Sequence, residues 1–144
     1  DVHQGNGTAE IFQNDPTVFT LSMHGKNNYP FKKESSDLDI ELPDGTGDTE
    51  YLSILMEILP KLIIQHKPTF IFYLCGVDVI ATDKLGKLGL TLEGCKNRDA
   101  FVLETCKKHQ IPVQCSMGGG YSANIKTIVE AHANTFRMAQ QIYF

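Results

Sequence analysis

Three short runs carry most of the chemistry this sequence can do: Asp1-Val2-His3 at its start, Gly76-Val77-Asp78 in the middle, and Gly118-Gly119-Gly120-Tyr121 further on. In an extended segment successive side chains point to opposite faces, so Asp1 and His3 share a face and can grip one ion. A third ligand has to come from far along the chain. Asp78 qualifies because it follows the apolar run Phe70-Ile71-Phe72-Tyr73-Leu74 and so sits just beyond the end of a buried strand. Two carboxylates and one neutral imidazole suit zinc, balancing its charge and leaving a position open for water and substrate. Such an ion polarises an amide carbonyl and lowers the pKa of the attacking water, both of which the hydrolysis of an unactivated amide needs. By its spacing alone, Asp-x-His is a surface pair about as often as a metal site.

Tyr121 adds a fourth group. Glycines tolerate positive φ and close backbone approach, so Gly118-Gly119-Gly120 can turn sharply and aim the phenol into the site. Its hydroxyl would donate a hydrogen bond to the oxyanion of a tetrahedral intermediate, and losing one such donor costs on the order of 100-fold in rate. The bland alternative is a tight turn bearing a half-buried tyrosine. Gly5-Asn6-Gly7 reads as a turn that leads the chain away from the ligands.

The elements that must position these groups alternate. Thr17 to Met23 reads as a strand, Tyr51 to His66 as a helix, Thr69 to Cys75 as a strand, Leu92 to His109 as a helix, Pro112 to Ser116 as a strand and Ala123 to Ile142 as a helix. A short alternation over Leu38 to Leu42 adds a further strand inside the longest irregular stretch, Gly25 to Asp48. Asp48 or Thr49 is expected to cap the first helix, and Pro60 to kink or split it. In the last helix Ile125, Ile128, Val129, His132, Phe136 and Ala139 form one face, with His132 read as a packing histidine. This order predicts an α/β fold, a mostly parallel sheet between two layers of helices, with the ligand site outside the carboxyl ends of the strands. Asp78 and Tyr121 both obey that rule.

Composition bounds the remaining choices. With 144 residues and 42% hydrophobic content there is room for one domain with a core. A net charge of -4 without a long Lys/Arg run argues against a nucleic-acid surface, and Lys32-Lys33 and Lys107-Lys108 read as solvated faces. Apolar stretches fall far short of the roughly 20 residues that cross a bilayer, so no membrane partner is expected and a cytoplasmic setting is the default. Cys75, Cys95, Cys106 and Cys115 stand singly and are expected to be reduced.

The three runs, in this order, resemble the histone deacetylase family, and Gln4 in place of a second histidine makes the opening similar to its class IV and related bacterial members. The likeness extends through Ser22-Met23-His24, Tyr29-Pro30, Asp44-Gly45 and Asp48, then Asp83-Lys84-Leu85-Gly86 and Leu90-Thr91. It implies the three-layer arginase/deacetylase-like fold, a zinc-dependent amidohydrolase with zinc on Asp1, His3 and Asp78, and Tyr121 as the oxyanion donor. It also implies an acyl-lysine channel lined by Tyr29 and Leu85 with the loop glycines Gly119 and Gly120, although Leu85 reads nearly as well as a core leucine. A structural potassium ion on Asp1, the His3 backbone, Ser22 and the Met23 backbone is a further implication. The substrate would be an acylated lysine or small acylated amine.

In that family a tandem His-His pair upstream of the Asp-x-His ligands serves in acid/base catalysis. No His-His occurs here, and His24, His66, His109 and His132 stand alone. Residues 1–144 are therefore expected to be the C-terminal part of a deacetylase-like domain, truncated in its N-terminal half, inactive alone and able to self-associate through its cut sheet edge. A nucleotide or phosphate cradle at Gly118–Ser122 is the competing reading, but it lacks the Gly-x-Gly-x-x-Gly spacing and leaves Asp1, His3 and Asp78 unexplained. A non-catalytic association domain is the third.

Overall fold

The computed structural model describes residues 1–144. Its elements run α1 (Asn6–Phe12), β1 (Leu21–Gly25), β2 (Leu38–Leu42), α2 (Asp48–His66), β3 (Ile71–Leu74), α3 (Leu92–Lys108), β4 (Val113–Ser116) and α4 (Ile125–Tyr143). Every strand pairing is parallel. β1 pairs with β2 in the register Leu21↔Leu38 to Gly25↔Leu42, and β3 with β4 from Ile71↔Val113 to Leu74↔Ser116. An isolated parallel bridge, Ile80↔Leu90, lies beyond them.

The opening segment ties the two ladders together. Gly25 N–H donates to the Val2 carbonyl (2.9 Å), and Val2 N–H donates to Asp78 Oδ1 (2.7 Å). Val2 itself is fully buried and shares one apolar core with Leu42, Tyr51, Val77, Ile80 and Leu90. On the other side, the β3–β4 ladder runs past its formal ends: Cys75 N–H bonds the Ser116 carbonyl and Val77 N–H the Gly118 carbonyl, both at 3.0 Å. The segments that carry Asp78 and Gly118-Gly119-Gly120 thus extend β3 and β4, and the opening segment meets them and the end of β1, so the site forms at the carboxyl ends.

Helix α2 continues through Pro60 instead of splitting. Proline removes one N–H, and the carbonyl it would have reached belongs to Met56, which stands 47% exposed at the solvent face. The expected cap differs too. Gly47 occupies the N-cap of α2, while the Asp48 carboxylate accepts from Thr91 N–H (2.8 Å) and Thr91 Oγ1 (2.6 Å). Thr91 in turn caps α3, its hydroxyl accepting from Gly94 N–H at 2.9 Å. One carboxylate therefore pins the starts of two helices.

Two further expectations are corrected. Gly5-Asn6-Gly7 does not form a free turn: Gly5 is the N-cap of α1, and Ala9 N–H bonds the Gly5 carbonyl at 2.9 Å. The first strand begins later than Thr17, because Asp15 draws Thr17 N–H and Oγ1 and Val18 N–H into a turn around Pro16.

The last helix also turns differently. Its buried residues are Ala131, Asn134, Thr135 and Met138, whereas Ile125, Val129 and Phe136 of the expected face are exposed. A polar anchor sets this rotation. Asp99 of α3, fully buried, accepts from Thr135 Oγ1 (2.6 Å), Tyr73 OH (2.6 Å) and Arg98 Nε (2.9 Å). Burial pushes the Tyr73 phenol well above its ordinary pKa, so it remains a donor to that carboxylate. The β3–β4 ladder is covered on one face only: Ile71 and Tyr73 pack on the core, while Phe70, Phe72 and Leu74 point outward, 47%, 74% and 54% exposed. No helix is long and apolar enough to cross a membrane.

Candidate metal centre

Asp1, His3 and Asp78 converge, their ligand atoms all within 4.8 Å of one another. His3 Nδ1 lies 3.0 Å from Asp1 Oδ1 and 3.1 Å from Asp78 Oδ2. The shorter of these is a hydrogen bond, and both are close to the roughly 3.4 Å that separates ligand atoms sharing one zinc. The Asp78 side chain is 1% exposed, and the other two are accessible, His3 31% and Asp1 24%.

The two oxygens of Asp78 differ. Oδ1 accepts from Val2 N–H, but Oδ2 is buried without any hydrogen-bond partner, its 3.1 Å approach to His3 Nδ1 lacking hydrogen-bond geometry. An orphaned, buried carboxylate oxygen is costly unless something positive meets it. It is aimed at an imidazole and a second carboxylate, and a divalent cation would satisfy all three. Asp1 is pre-oriented for the same task, since its Oδ1 accepts from His3 N–H at 2.8 Å. The donor set therefore fits zinc.

Glycines make the space. A Cβ on Gly76 would lie 2.6 Å from Asp1 Cα, one on Gly118 would lie 2.9 Å from Asp1 Oδ2, and one on Gly119 would overlap the Asp78 carboxylate. Gly119 also has φ +65° and Gly120 φ +107°, the left-handed region that other residues adopt only with strain. Gly120 faces the Ile128 side chain. A side chain at either glycine would point at the ligand carboxylate or at α4, while Gly119 itself is exposed and Gly120 half-buried.

Behind the ligands, Arg98 clamps the strand end. It is 1% exposed and donates from Nη1 to the Gly76 carbonyl (2.8 Å) and from Nη2 to the Cys75 carbonyl (3.2 Å). All four cysteines are free thiols. The buried Cys75 thiol donates to the Ser116 carbonyl at 3.2 Å, and its proximity raises the Cys115 thiol.

Tyr29, Leu85 and Tyr121 are exposed by 63%, 56% and 59%. Leu85 is thus no core leucine. The loops that bear them are joined through two buried polar side chains that sequence reasoning left without a role. Asn28 donates to the Leu85 carbonyl (2.8 Å) and accepts from Lys87 N–H (3.2 Å). Asp83 accepts from Leu85 and Gly86 N–H (2.8 Å each) through one oxygen and from Tyr121 N–H (2.6 Å) through the other. Asp83 two residues before Leu85-Gly86 is an Asx-turn signal that was available in the sequence; the partnership with Tyr121 was not.

Gln4, the residue that departs from a second histidine, is 4% exposed and pairs with the Glu34 peptide in both directions, Nε2 to its carbonyl (2.7 Å) and Oε1 from its N–H (2.9 Å). Ser22, named for potassium, lies on β1 with its hydroxyl taken by Gly5 N–H (3.4 Å) and His24 Nδ1 (2.9 Å). Met23 is on the same strand, which Gly25 ties to the Val2 carbonyl. His24 is fully buried, and burial lowers its pKa. His132 is a neighbour of Gly120 rather than of the ligands, and its Nδ1 is buried without a partner. An open hollow of about 360 Å³ lined by Glu10, Thr20, Glu34 and Asp37 includes none of the candidate site residues. At the proposed phosphate cradle the Tyr121 N–H is already given to Asp83, and Asn124 caps α4 with its own side chain (3.0 Å to Lys126 N).

A parallel α/β fold carrying an Asp-x-His…Asp trio on its strand ends defines the class. The chain belongs to the histone deacetylase family, whose domain matches residues 1–136. It is 50% identical over 99% of its length to an uncharacterized protein of Picosynechococcus, 34% identical over 85% to a probable deacetylase of Archaeoglobus fulgidus and 30% identical over 95% to histone deacetylase 2 of Arabidopsis thaliana. It spans 48%, 37% and 36% of those proteins. Its fold is that of the acetylpolyamine aminohydrolase from Burkholderia pseudomallei (TM-score 0.81, 20% identity, 99% of this chain and 43% of that one). The HD domain of HDA15 superposes similarly (TM-score 0.78, 23% identity, 97% and 43%).

Proposed function

We propose that residues 1–144 are the C-terminal part of a zinc-dependent amidohydrolase domain that removes acetyl or longer acyl groups from a lysine or another amine. The observation that supports this most is the orphaned Oδ2 of Asp78, buried and aimed at His3 and Asp1 inside a cradle of glycines. Asp1, His3 and Asp78 would hold the zinc, and when bound it supplies a Lewis acid for the amide carbonyl and acidifies the attacking water. Val2 N–H and His3 N–H orient the two carboxylates. The Tyr121 hydroxyl, which has no partner within the chain, donates to the oxyanion as the acyl carbon becomes tetrahedral. Tyr29 and Leu85 flank the entering acyl-amine stem. The base belongs to a His-His pair in a longer polypeptide, so this chain alone holds metal ligands and oxyanion donor without turnover. Potassium on residues 1–3 and β1 remains an implication of the family resemblance.

Zinc stoichiometry on the purified chain tests the reading. About one tightly bound zinc, lost in Asp78→Ala, is expected. Zinc retained by Asp78→Ala would remove Asp78 from the site, and hydrolysis by the chain alone that Tyr121→Phe abolishes would overturn the missing base.

A further inference from the structure

We infer that Asp83 is a positioning residue that fixes the Tyr121 backbone and the Leu85 turn as one unit, an inference that rests on the reading of Tyr121 and Leu85 as parts of the site. Asp83 is 8% exposed, sits in the loop closed by the Ile80–Leu90 bridge, and touches none of the three ligand side chains through hydrogen bonds. A carboxylate buried in a loop must be satisfied locally, and Asp83 is satisfied by three backbone N–H groups drawn from two segments. Oδ1 takes Leu85 and Gly86; Oδ2 takes Tyr121, the shortest of the three bonds at 2.6 Å.

The geometry around it leaves little slack. A side chain at Gly86 would overlap the Asp78 carbonyl, so the turn that Asp83 holds passes directly over the ligand's own backbone. One residue earlier and one later, Thr82 Oγ1 and Ser122 Oγ join the same two segments at 2.7 Å. Leu85 is gripped at both ends of its peptide, its N–H by Asp83 and its carbonyl by Asn28. Leu85 and Tyr121 therefore keep exposed side chains on fixed backbones, and the group fixing both is a single carboxylate. The tyrosine follows two glycines in the left-handed region, where the backbone has most freedom to depart; a charge-assisted bond to the first non-glycine amide is the device that stops it.

The variants Asp83→Asn and Asp83→Ala test this. An amide offers one acceptor oxygen and turns an NH2 toward the other donors, so Asn keeps one arm and Ala neither. In the zinc-loaded chain, amide hydrogen exchange at Tyr121, Leu85 and Gly86 should accelerate together, by about tenfold or more in Asp83→Ala. Zinc content and exchange within α3 should stay at the parent's values. Unchanged exchange at Tyr121 in Asp83→Ala overturns the inference, and so does loss of zinc at parent-like exchange, which would make Asp83 part of the metal site. In the longer polypeptide, kcat should fall as it does in Tyr121→Phe, with the double variant no slower than Tyr121→Phe alone. Additive losses would overturn the positioning role. Full hydrolysis by Tyr121→Phe would instead overturn the oxyanion reading, leaving hydrogen exchange to decide on Asp83.

Discussion

The floor of the candidate site and its rim are built by opposite means. The floor is fixed by exclusion: Gly76, Gly118 and Gly119 leave no room beside Asp1 and Asp78, and Arg98 holds the strand end from behind. The rim is fixed through its backbone, while the Tyr29, Leu85 and Tyr121 side chains stay more than half exposed. A floor of this kind admits almost no substitution, whereas rim side chains can be exchanged with the fold intact. On the proposed reading, chemistry is thereby held constant while the surface offered to a substrate is free to vary.

The comparison breaks most sharply at Asp78. Asp78→Ala removes the buried ligand, and metal analysis should find zinc falling from about one per chain to none. Tyr121→Phe should leave that zinc untouched and slow hydrolysis by the longer polypeptide on the order of 100-fold, measured as kcat. If it also displaced the metal, floor and rim would be one structure. Gly119→Ala keeps every ligand yet should weaken zinc by about tenfold or more in a competition titration, because its Cβ would overlap the Asp78 carboxylate and push that ligand aside. At the small end, Leu85→Ala should change the unfolding free energy from urea titration by no more than about 0.5 kcal/mol while raising the longer polypeptide's KM for a long acyl substrate.

Much of the floor was legible because its signals are local. The apolar run Phe70–Leu74 marks a strand, Asp78 follows it, and glycines mark the place where the backbone must come close. The alternation of elements and the parallel pairing followed from the same short runs. What the sequence hid depends on partners distant along the chain. Thr135 turns α4 toward Asp99, which leaves the more apolar stripe of Ile125, Val129 and Phe136 outside. Asp48 serves Thr91 across 43 positions instead of capping its own helix. Asn28 and Asp83 look like ordinary turn residues, and only the fold reveals that they stitch separate loops together.

The glycine cradle bears on how lineages of this domain lose activity. A descendant that retained Asp1, His3 and Asp78 but acquired any side chain at position 119 would pass an inspection of its ligands and still hold its zinc at least about tenfold more weakly. Surveys that sort working enzymes from pseudoenzymes by ligand identity alone would count it among the living. The diagnostic letter is the one that contributes no functional group at all.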